Sequence, residues 1–554
     1  MKKVLSILVF LSSILLVSAC GSKTVTTKPI NNKTTTEDFT PNTDKEIKEK
    51  TEYITPYVIN SSGEKTYIES RNGAPYIALS TEVLFNLIKD ADMKDAEDTE
   101  KYFKLASEYG FNTMDVPIEW SMIEKDDNVF DYKWIKAFLD YAKKYNLKLN
   151  LLWYGSLTDG QTHTANIPSY VSKNEAKYSK IANILRYGVF GDLVIMDWTD
   201  KDLLQDESYA IYSLFNYIYD WSKDNSYDPV VMVQIGQGTD RFVRWRIEQY
   251  ELLDENGEYL DNEYSWNMIN GYIKAISKAV KMSSYRALTR VEFCEQNAVT
   301  NYVRNIKDIE TIDIVCPTYL HSIGNTVAGI TNFKEEYSNM PIINAENWAK
   351  DYNDKQVLAT MSIGGVGYVS FQLSNPSYYV SKAEGDLFRR YDYDTNEFVE
   401  INNRATLTKN IQLGLLKAYS VVASTKQSNF VPLGINSSLK TDIQNVYTRS
   451  GVMASYNKAK DGLGFIISKD NYIYAFSTCD AELLFTNVTF TTASEGYFDE
   501  FASWVNEGSV ALTNSNLGIS LEAGKLYRIR VNEFKELPTT IPSDYLASDE
   551  SIRG

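Results

Sequence analysis

Between residues 74 and 424, short apolar runs alternate with stretches whose apolar residues recur at helical spacing. This alternation constrains the fold more than any other feature of the chain, because strand, helix, strand, helix at such spacing is the pattern of βα units around a parallel sheet. The first strand, residues 74–82, follows the turn at Gly73 and ends on Glu82. A helix over 95–109 sets Tyr102, Leu105 and Ala106 on one face and stops at Gly110. Strands two and three cover 111–117 and 147–155, separated by an amphipathic helix over 131–145 that carries Trp134, Phe138 and Tyr141. Residues 156–207 form a long excursion rich in Tyr, Asp and Gly, and loops of that size usually bind or cover a ligand. Helices over 208–222 and 264–281 flank a fourth strand at 228–235. Strands five to eight fall at 287–293, 312–317, 341–345 and 364–371, and a helix over 405–424 follows. The expected fold class is therefore α/β, a (β/α)8 TIM barrel over residues 53–428.

Beyond residue 429 the runs become short and alternating, at 462–468, 471–476, 482–490 and 525–531, with turn residues between them. They predict a small antiparallel, sandwich-like β-domain over 429–540, with a tail at 541–554. The 554 residues leave room for both units, since a barrel takes about 250 or more. At the other end, Lys2 and Lys3 precede an almost wholly apolar run from Val4 to Val17. That is the charged and hydrophobic make-up of a secretory signal, and it is too short for a comfortable membrane span. The run ends in Ser18-Ala19-Cys20-Gly21, which resembles a bacterial lipobox. The resemblance implies removal of residues 1–19 and lipidation of Cys20, which would anchor the protein on the outer face of a membrane. Residues 20–52 are polar and read as a disordered tether.

The formal net charge of −17 argues against nucleic acid or an anionic membrane surface as a binding partner. Four cysteines (Cys20, Cys294, Cys316, Cys479) and two histidines (His163, His321) show no metal-ligand spacing, so no zinc site and no cofactor is expected. Cys294 and Cys316 sit in apolar runs and read as buried, inert thiols. Forty Tyr and nine Trp are many. Flat rings bind sugar faces, which gives weak support to a carbohydrate partner.

The chemistry centres on residues 340–348, where an apolar run stops at Glu346, followed by Asn347 and Trp348. In a barrel, chemistry is placed at the C-terminal ends of the strands. A carboxylate there, beside a ring able to stack on a sugar, reads as a nucleophile for glycoside cleavage. A second carboxyl about 5–5.5 Å away would make the enzyme retaining, and one roughly 6.5–9.5 Å away inverting.

Residues 76–82, 110–120 with Phe130-Asp131-Tyr132, 149–156, 229–234, 315–319 and 341–346, taken in order, make the barrel resemble the clan-A retaining glycoside hydrolases, above all the family 35 and family 42 β-galactosidases. The resemblance implies Glu346 as nucleophile and sugar contacts at Glu82 and Tyr319. It departs at strand four. There the family pattern places an Asn-Glu pair whose Glu is the acid/base, and this chain has Gln237 and Gly238. Three readings follow: Asp240 bends in as the acid; Glu292 or Glu295, at the end of strand five, replaces it; or the site binds a glycan without cleaving it efficiently. Gly236 and Gly238 would widen such a pocket. Gln237 takes the family's Asn place as a substrate contact. Trp120, Trp153 and Trp348 each read either as sugar platforms or as core. His163 reads as a surface residue within reach of a ligand, and Asn344 and Asn347 as orienting Glu346 or capping the strand. The expected function is a surface-anchored glycoside hydrolase-like lipoprotein acting on extracellular oligo- or polysaccharide, or else a glycan-binding barrel. A transport-system receptor would have two similar α/β lobes, and this chain has one barrel and a β-domain.

Overall fold

The computed structural model describes residues 45–63, 65–85, 99–156, 166–185, 192–236, 262–293, 306, 309–318, 320, 322–348, 353–376, 385–435, 443–458, 462–535, 538–548 and 550–552. Eight of its strands form one parallel sheet: β1 Ala78–Glu82, β2 Thr113–Glu119, β3 Lys148–Tyr154, β4 Val230–Ile235, β5 Leu288–Phe293, β6 Ile314–Pro317, β7 Ile343–Asn347 and β8 Gly367–Ser370. The hydrogen-bonded order runs β6-β5-β4-β3-β2-β1-β8-β7. Parallel bridges from Val315 to Ile342 and from Thr318 to Ala345 bring β6 back onto β7 and close the barrel. β2, β4 and β5 are buried along their whole length, as strands covered on both faces must be. β4 and β5 lie within apolar runs that the sequence marks, and β2 extends two residues past its run at 111–117.

The crossover helices are α1 Glu100–Glu108, α2 Lys133–Lys144, α3 Lys201–Asn225, α4 Asn262–Met282, α5 Ile323–Glu336, α6 Asn353–Ser362 and α7 Arg404–Lys417, with α8 Tyr419–Ser424 after the last. α2 shows why they form. Ile135, Phe138, Leu139 and Ala142 make one buried stripe at helical spacing, and Lys143 and Lys144 close its last turn at the negative end of the helix dipole. α3 begins seven residues before the expected 208. The Asp200 side chain accepts from the Asp202 and Leu203 amides and caps the helix there. The excursion before it contains a hairpin, Lys180–Leu185 with Asp192–Met196.

A three-stranded antiparallel sheet, Tyr57–Ser62, Lys65–Ser70 and Pro75–Tyr76, precedes the barrel. It packs at the N-terminal end of the strands, where the Tyr76 hydroxyl pairs with Thr113, the first residue of β2. The opposite, C-terminal mouth is left to the loops that follow the strands.

Two expectations need correction at the chain ends. The segment Lys45–Ile54 is not a loose tether. Lys45 is 3% exposed and ion-pairs with Asp127, Asp206 and Glu124, the Lys50 amide donates to Met282, and Arg286 pairs with Glu49. Nor is the C-terminus only a tail, since Tyr545–Ala547 pairs with Ile443–Tyr447 and Ile552 is buried. That pairing is parallel, an exception within an otherwise antiparallel region. The region consists of a six-stranded and a five-stranded sheet. Val431, Ile466, Ile473, Leu483 and Ile519 fill the core between them, and Phe465, Ile467 and Phe476, on the alternate face of the six-stranded sheet, join the barrel's own core. A β-carbon on Gly414 of α7 would run into the Phe476 ring, so only glycine lets this helix lie so close to the sheet.

Candidate active site

The side chains that point into the barrel follow from register. Glu82 on β1 pairs with Asp115 on β2, Asp115 with Asn150 on β3, Asn150 with Met232 on β4, Gln234 with Arg290 on β5, and Glu292 with Cys316 on β6. In-register neighbours in a parallel sheet face the same way, so these form the inner wall. Asp115 accepts from Ser80 Oγ, from Arg290 Nη2, and from Asn150 Nδ2 at 2.8 Å. Arg290 Nε donates to Gln234 Oε1 at 3.1 Å, and Gln234 Nε2 donates to Glu292 Oε2 at 2.6 Å. Glu82, 3% exposed, has an Oε1 with no hydrogen-bond partner among the described residues. Burial pushes its carboxyl well above the ordinary carboxylate range; Asp115 and Glu292 add to the shift and Arg290 opposes it. Glu119, 4% exposed, ends β2 on the same face.

Glu346 enters this mouth by a different device. Asn344 of β7 pairs with Tyr368 and Asn347 with Ser370, so Ala345 and Glu346 both stand opposite Val369. That is a β-bulge, which re-aims a side chain and recurs next to active sites. Glu346 takes φ 49°, the left-handed region that costs a non-glycine residue about 1–2 kcal/mol. Asn347 Nδ2 donates to the Asn344 carbonyl at 3.0 Å across the bulge, and Asn344 Nδ2 donates to Thr360 Oγ1 of α6 at 3.0 Å. The two asparagines therefore hold the bulged backbone, one across it and one from behind. Glu346 lies within β7 and not just beyond it, two residues deeper than the expected strand placed it.

The structure separates the three tryptophans. Trp348 is half-buried and stacks on Phe371 at the end of β8, with ring centroids 5.4 Å apart and planes 14° apart. Trp153 alternates with the inward Leu152 and Tyr154, so it faces the helix layer and gives its indole N–H to Glu207 of α3 at 2.9 Å. Trp120 is fully buried and donates to Glu124 at 2.6 Å. Sugar platforms need an open face, so Trp120 and Trp153 are corrected to supporting roles. Asp240, Gln237, Tyr319, His163, Glu295, Cys294 and Cys20 lie outside the described residues. Glu292 is in place on the inner wall and 4% exposed. Cys316 is buried, and burial pushes its thiol up to about 12, consistent with an inert side chain. Among the described residues no cluster of His, Cys, Asp and Glu is placed to hold a metal ion.

Two acids that sequence reasoning missed belong to the surroundings of the mouth. Glu207, fully buried, accepts from Trp153 Nε1, Ser156 N and Oγ, and the Tyr272 hydroxyl, pinning the chain just past β3. Burial raises its carboxyl, and those donors oppose the rise. A β-carbon on Gly155 would collide with Glu207, so the pairing of a glycine there with an acid on the next helix was the available signal. Asp386, on the loop after β8, is 8% exposed; burial pushes it up to about 8, with Gln372 and Arg404 opposing.

No protein-family model and no curated protein sequence matches the chain. Similar solved structures include an exo-β-1,4-mannosidase from Opitutaceae bacterium strain TAV5, at 11% identity and TM-score 0.46 over 65% of this chain and 64% of that one. A GH30 endoxylanase from Clostridium papyrosolvens C71 is 10% identical, with TM-score 0.42 over 83% of this chain and 97% of that one. A β-galactosidase from the psychrophilic Marinomonas ef1 is 10% identical, with TM-score 0.41 over 61% of this chain and 59% of that one. The chain thus spans under two thirds of the length of the mannosidase and of the galactosidase. Likenesses at this level fix neither family nor activity.

Proposed function

We propose that the barrel is a glycoside hydrolase that acts on extracellular oligo- or polysaccharide by a retaining mechanism, with Glu346 as nucleophile. The observation that carries this reading is the bulge in β7. It holds a carboxylate in a left-handed conformation at the barrel mouth, and backbone strain of that kind persists where surrounding structure enforces it. A carboxylate oxygen of Glu346 attacks the anomeric carbon while the bond to the leaving oxygen breaks and an acid protonates that oxygen. Water then attacks the same carbon, the ester to Glu346 breaks, and the acid recovers its proton. Trp348, on its Phe371 support, serves as a sugar wall. Asp240 and Glu292 are the acids the sequence nominates. Lipidation at Cys20 would hold the enzyme on the outside of the cell.

The test is a 2-deoxy-2-fluoro glycoside with a dinitrophenolate leaving group, tried as galactoside, glucoside, mannoside and xyloside. A covalent sugar on the peptide containing Glu346, seen by mass spectrometry, is the expected result. The second reading is a barrel that binds glycans without cleaving them, and the absence of any carboxylate at residues 236–238 favours it. Sugar binding by calorimetry with no turnover of any activated glycoside would establish that reading and overturn the first.

A further inference from the structure

We infer that Glu82 is the proton donor of this site, in the role that a strand-four carboxyl would fill. The inference rests on the reading of Glu346 as nucleophile. Glu82 is the last residue of β1 and faces the barrel interior. β1 stands two strands from β7 through β8, as β5 does through β6 on the other side, so Glu82 and Glu292 flank Glu346 at equal strand separation.

Their surroundings tell the two flanking carboxyls apart. Glu292 already receives the Gln234 amide on Oε2. Glu82 is buried with Oε1 unmatched, and the charged groups that face it among the described residues are Asp115 from β2 and Arg290 and Glu292 from β5. Arg290 is the single cation among them, and its donors go elsewhere: Nη2 to Asp115, Nε to Gln234, and Nη1 toward Met232 Sδ at 3.9 Å. A buried carboxyl with two acidic neighbours and an Oε1 that meets no donor among the described residues is stable when it carries a proton. That agrees with the upward direction in which burial moves it. A neutral carboxyl is what acid-assisted departure of an alkoxide requires. In the first step the Glu82 proton passes to the leaving oxygen as its bond to the anomeric carbon breaks and the bond to Glu346 forms, releasing an alcohol. In the second, water adds to that carbon, its proton goes to the Glu82 carboxylate, and the bond to Glu346 breaks.

The experiment compares Glu82→Gln, Glu292→Gln and Asp386→Asn on phenyl and 2,4-dinitrophenyl β-glycosides of the same four sugars, with and without azide. Glu82→Gln should lose about 10²–10⁴-fold on the phenyl glycoside. On the dinitrophenyl glycoside its first step should stay near wild type. Azide should speed its turnover and yield a glycosyl azide of retained configuration, and the alkaline fall in wild-type kcat/KM should vanish from its pH profile. Equal losses on both leaving groups would overturn the assignment, as would the selective pattern appearing in Glu292→Gln or Asp386→Asn instead. Thermal unfolding checks that the isosteric amide folds, and Glu82→Ser, read in the same way, replaces it if it does not. Wild-type turnover with labelling at Glu346 keeps the glycosidase reading even when Glu82 fails. Inactivity of the wild type on every glycoside would remove both.

Discussion

Two buried acidic clusters in this molecule are built to opposite rules. Outside the barrel, Glu124, Asp127 and Asp206 gather around two lysines, Lys45 and Lys177, and hydrogen-bond donors surround the deeper acids. Lys45 reaches Asp127 at 2.5 Å and Asp206 at 3.1 Å, and Lys177 and the Tyr178 hydroxyl reach the other Asp206 oxygen at 2.7 and 2.6 Å. Trp120 and the Asn128 amide supply Glu124. Inside the barrel, among the described residues, Glu82, Asp115 and Glu292 share the one cation Arg290, and Glu82 Oε1 meets no hydrogen-bond partner. The outer cluster fastens the N-terminal segment, which is a structural task, and each of its three acids lies within ion-pair distance of Lys45. The inner cluster sets three acids against a single described cation, which is bonded to Asp115, at the mouth, where a reacting group needs a carboxyl that holds a proton. Among the described residues, a buried carboxyl with no cation on it marks the site, and acids that each touch a lysine mark the scaffold.

Removing a cation from each cluster tests that contrast most severely. Arg290→Met leaves Asp115 buried without its partner, and breaking a fully buried pair costs about 3–5 kcal/mol. Urea unfolding should show a loss of that size, and a loss below the one in the outer cluster would end the distinction. Lys45→Met should cost less, about 1–3 kcal/mol, because Lys177 and Tyr178 still serve Asp206. Its loss should fade in acid. Burial opposes ionisation of Asp206, but Lys177, Tyr178 and Lys45 together pull it below its ordinary value of 3.8. Stability from that pairing is therefore present above about pH 4 and disappears as pH falls through the lowered folded value.

Glu346→Gly should move stability and activity in opposite directions. Glycine adopts φ 49° without steric cost, so relief of the left-handed strain offers about 1–2 kcal/mol, against which glycine's extra unfolded-state freedom must be set. A small net gain in thermal stability with loss of all glycoside turnover is the expected outcome. Lost stability would mean that the Glu346 side chain holds the bulge together.

How much of this was legible beforehand depends on distance along the chain. Strands and helices were readable because burial on both faces leaves continuous apolar runs and α2 leaves a helical stripe. The mouth carboxylates Glu82, Glu292 and Glu346 were readable because each stands at or beside the end of such a run. The bulge was not, since it exists only in the count of residues that β7 sets against β8. Trp153 was left open between sugar platform and core for want of strand parity, and the polar Asn150, three residues before it, was the cue that even positions of β3 face inward. Arg290 and Asp115 lie 175 residues apart, and no local pattern joins them. Lys45 sits in a stretch whose composition argues for a tether, and its burial comes from acids on β2's following loop and on α3.

Glu82→Gln gives the smallest effect on stability and the sharpest view of the contrast. Because the folded carboxyl binds its proton more tightly than the unfolded one, the native state loses stability as pH rises above the unfolded value of 4.5 toward the raised folded value. The amide cannot ionise and escapes that loss. Below pH 4 both proteins hold a neutral group there, and their melting temperatures should agree. From pH 5 upward the variant should pull ahead, by about 0.5–1 kcal/mol at neutrality, the gain commonly seen when a functional conflict is removed. The corresponding amide substitution in the outer cluster, Asp206→Asn, should show the reverse: a deficit present above pH 4 that vanishes in acid. Two curves that part in opposite directions would establish that the inner cluster is held away from its electrostatic optimum. Parallel curves would mean that Glu82 finds a counter-charge when the protein folds, which leaves it no proton to donate.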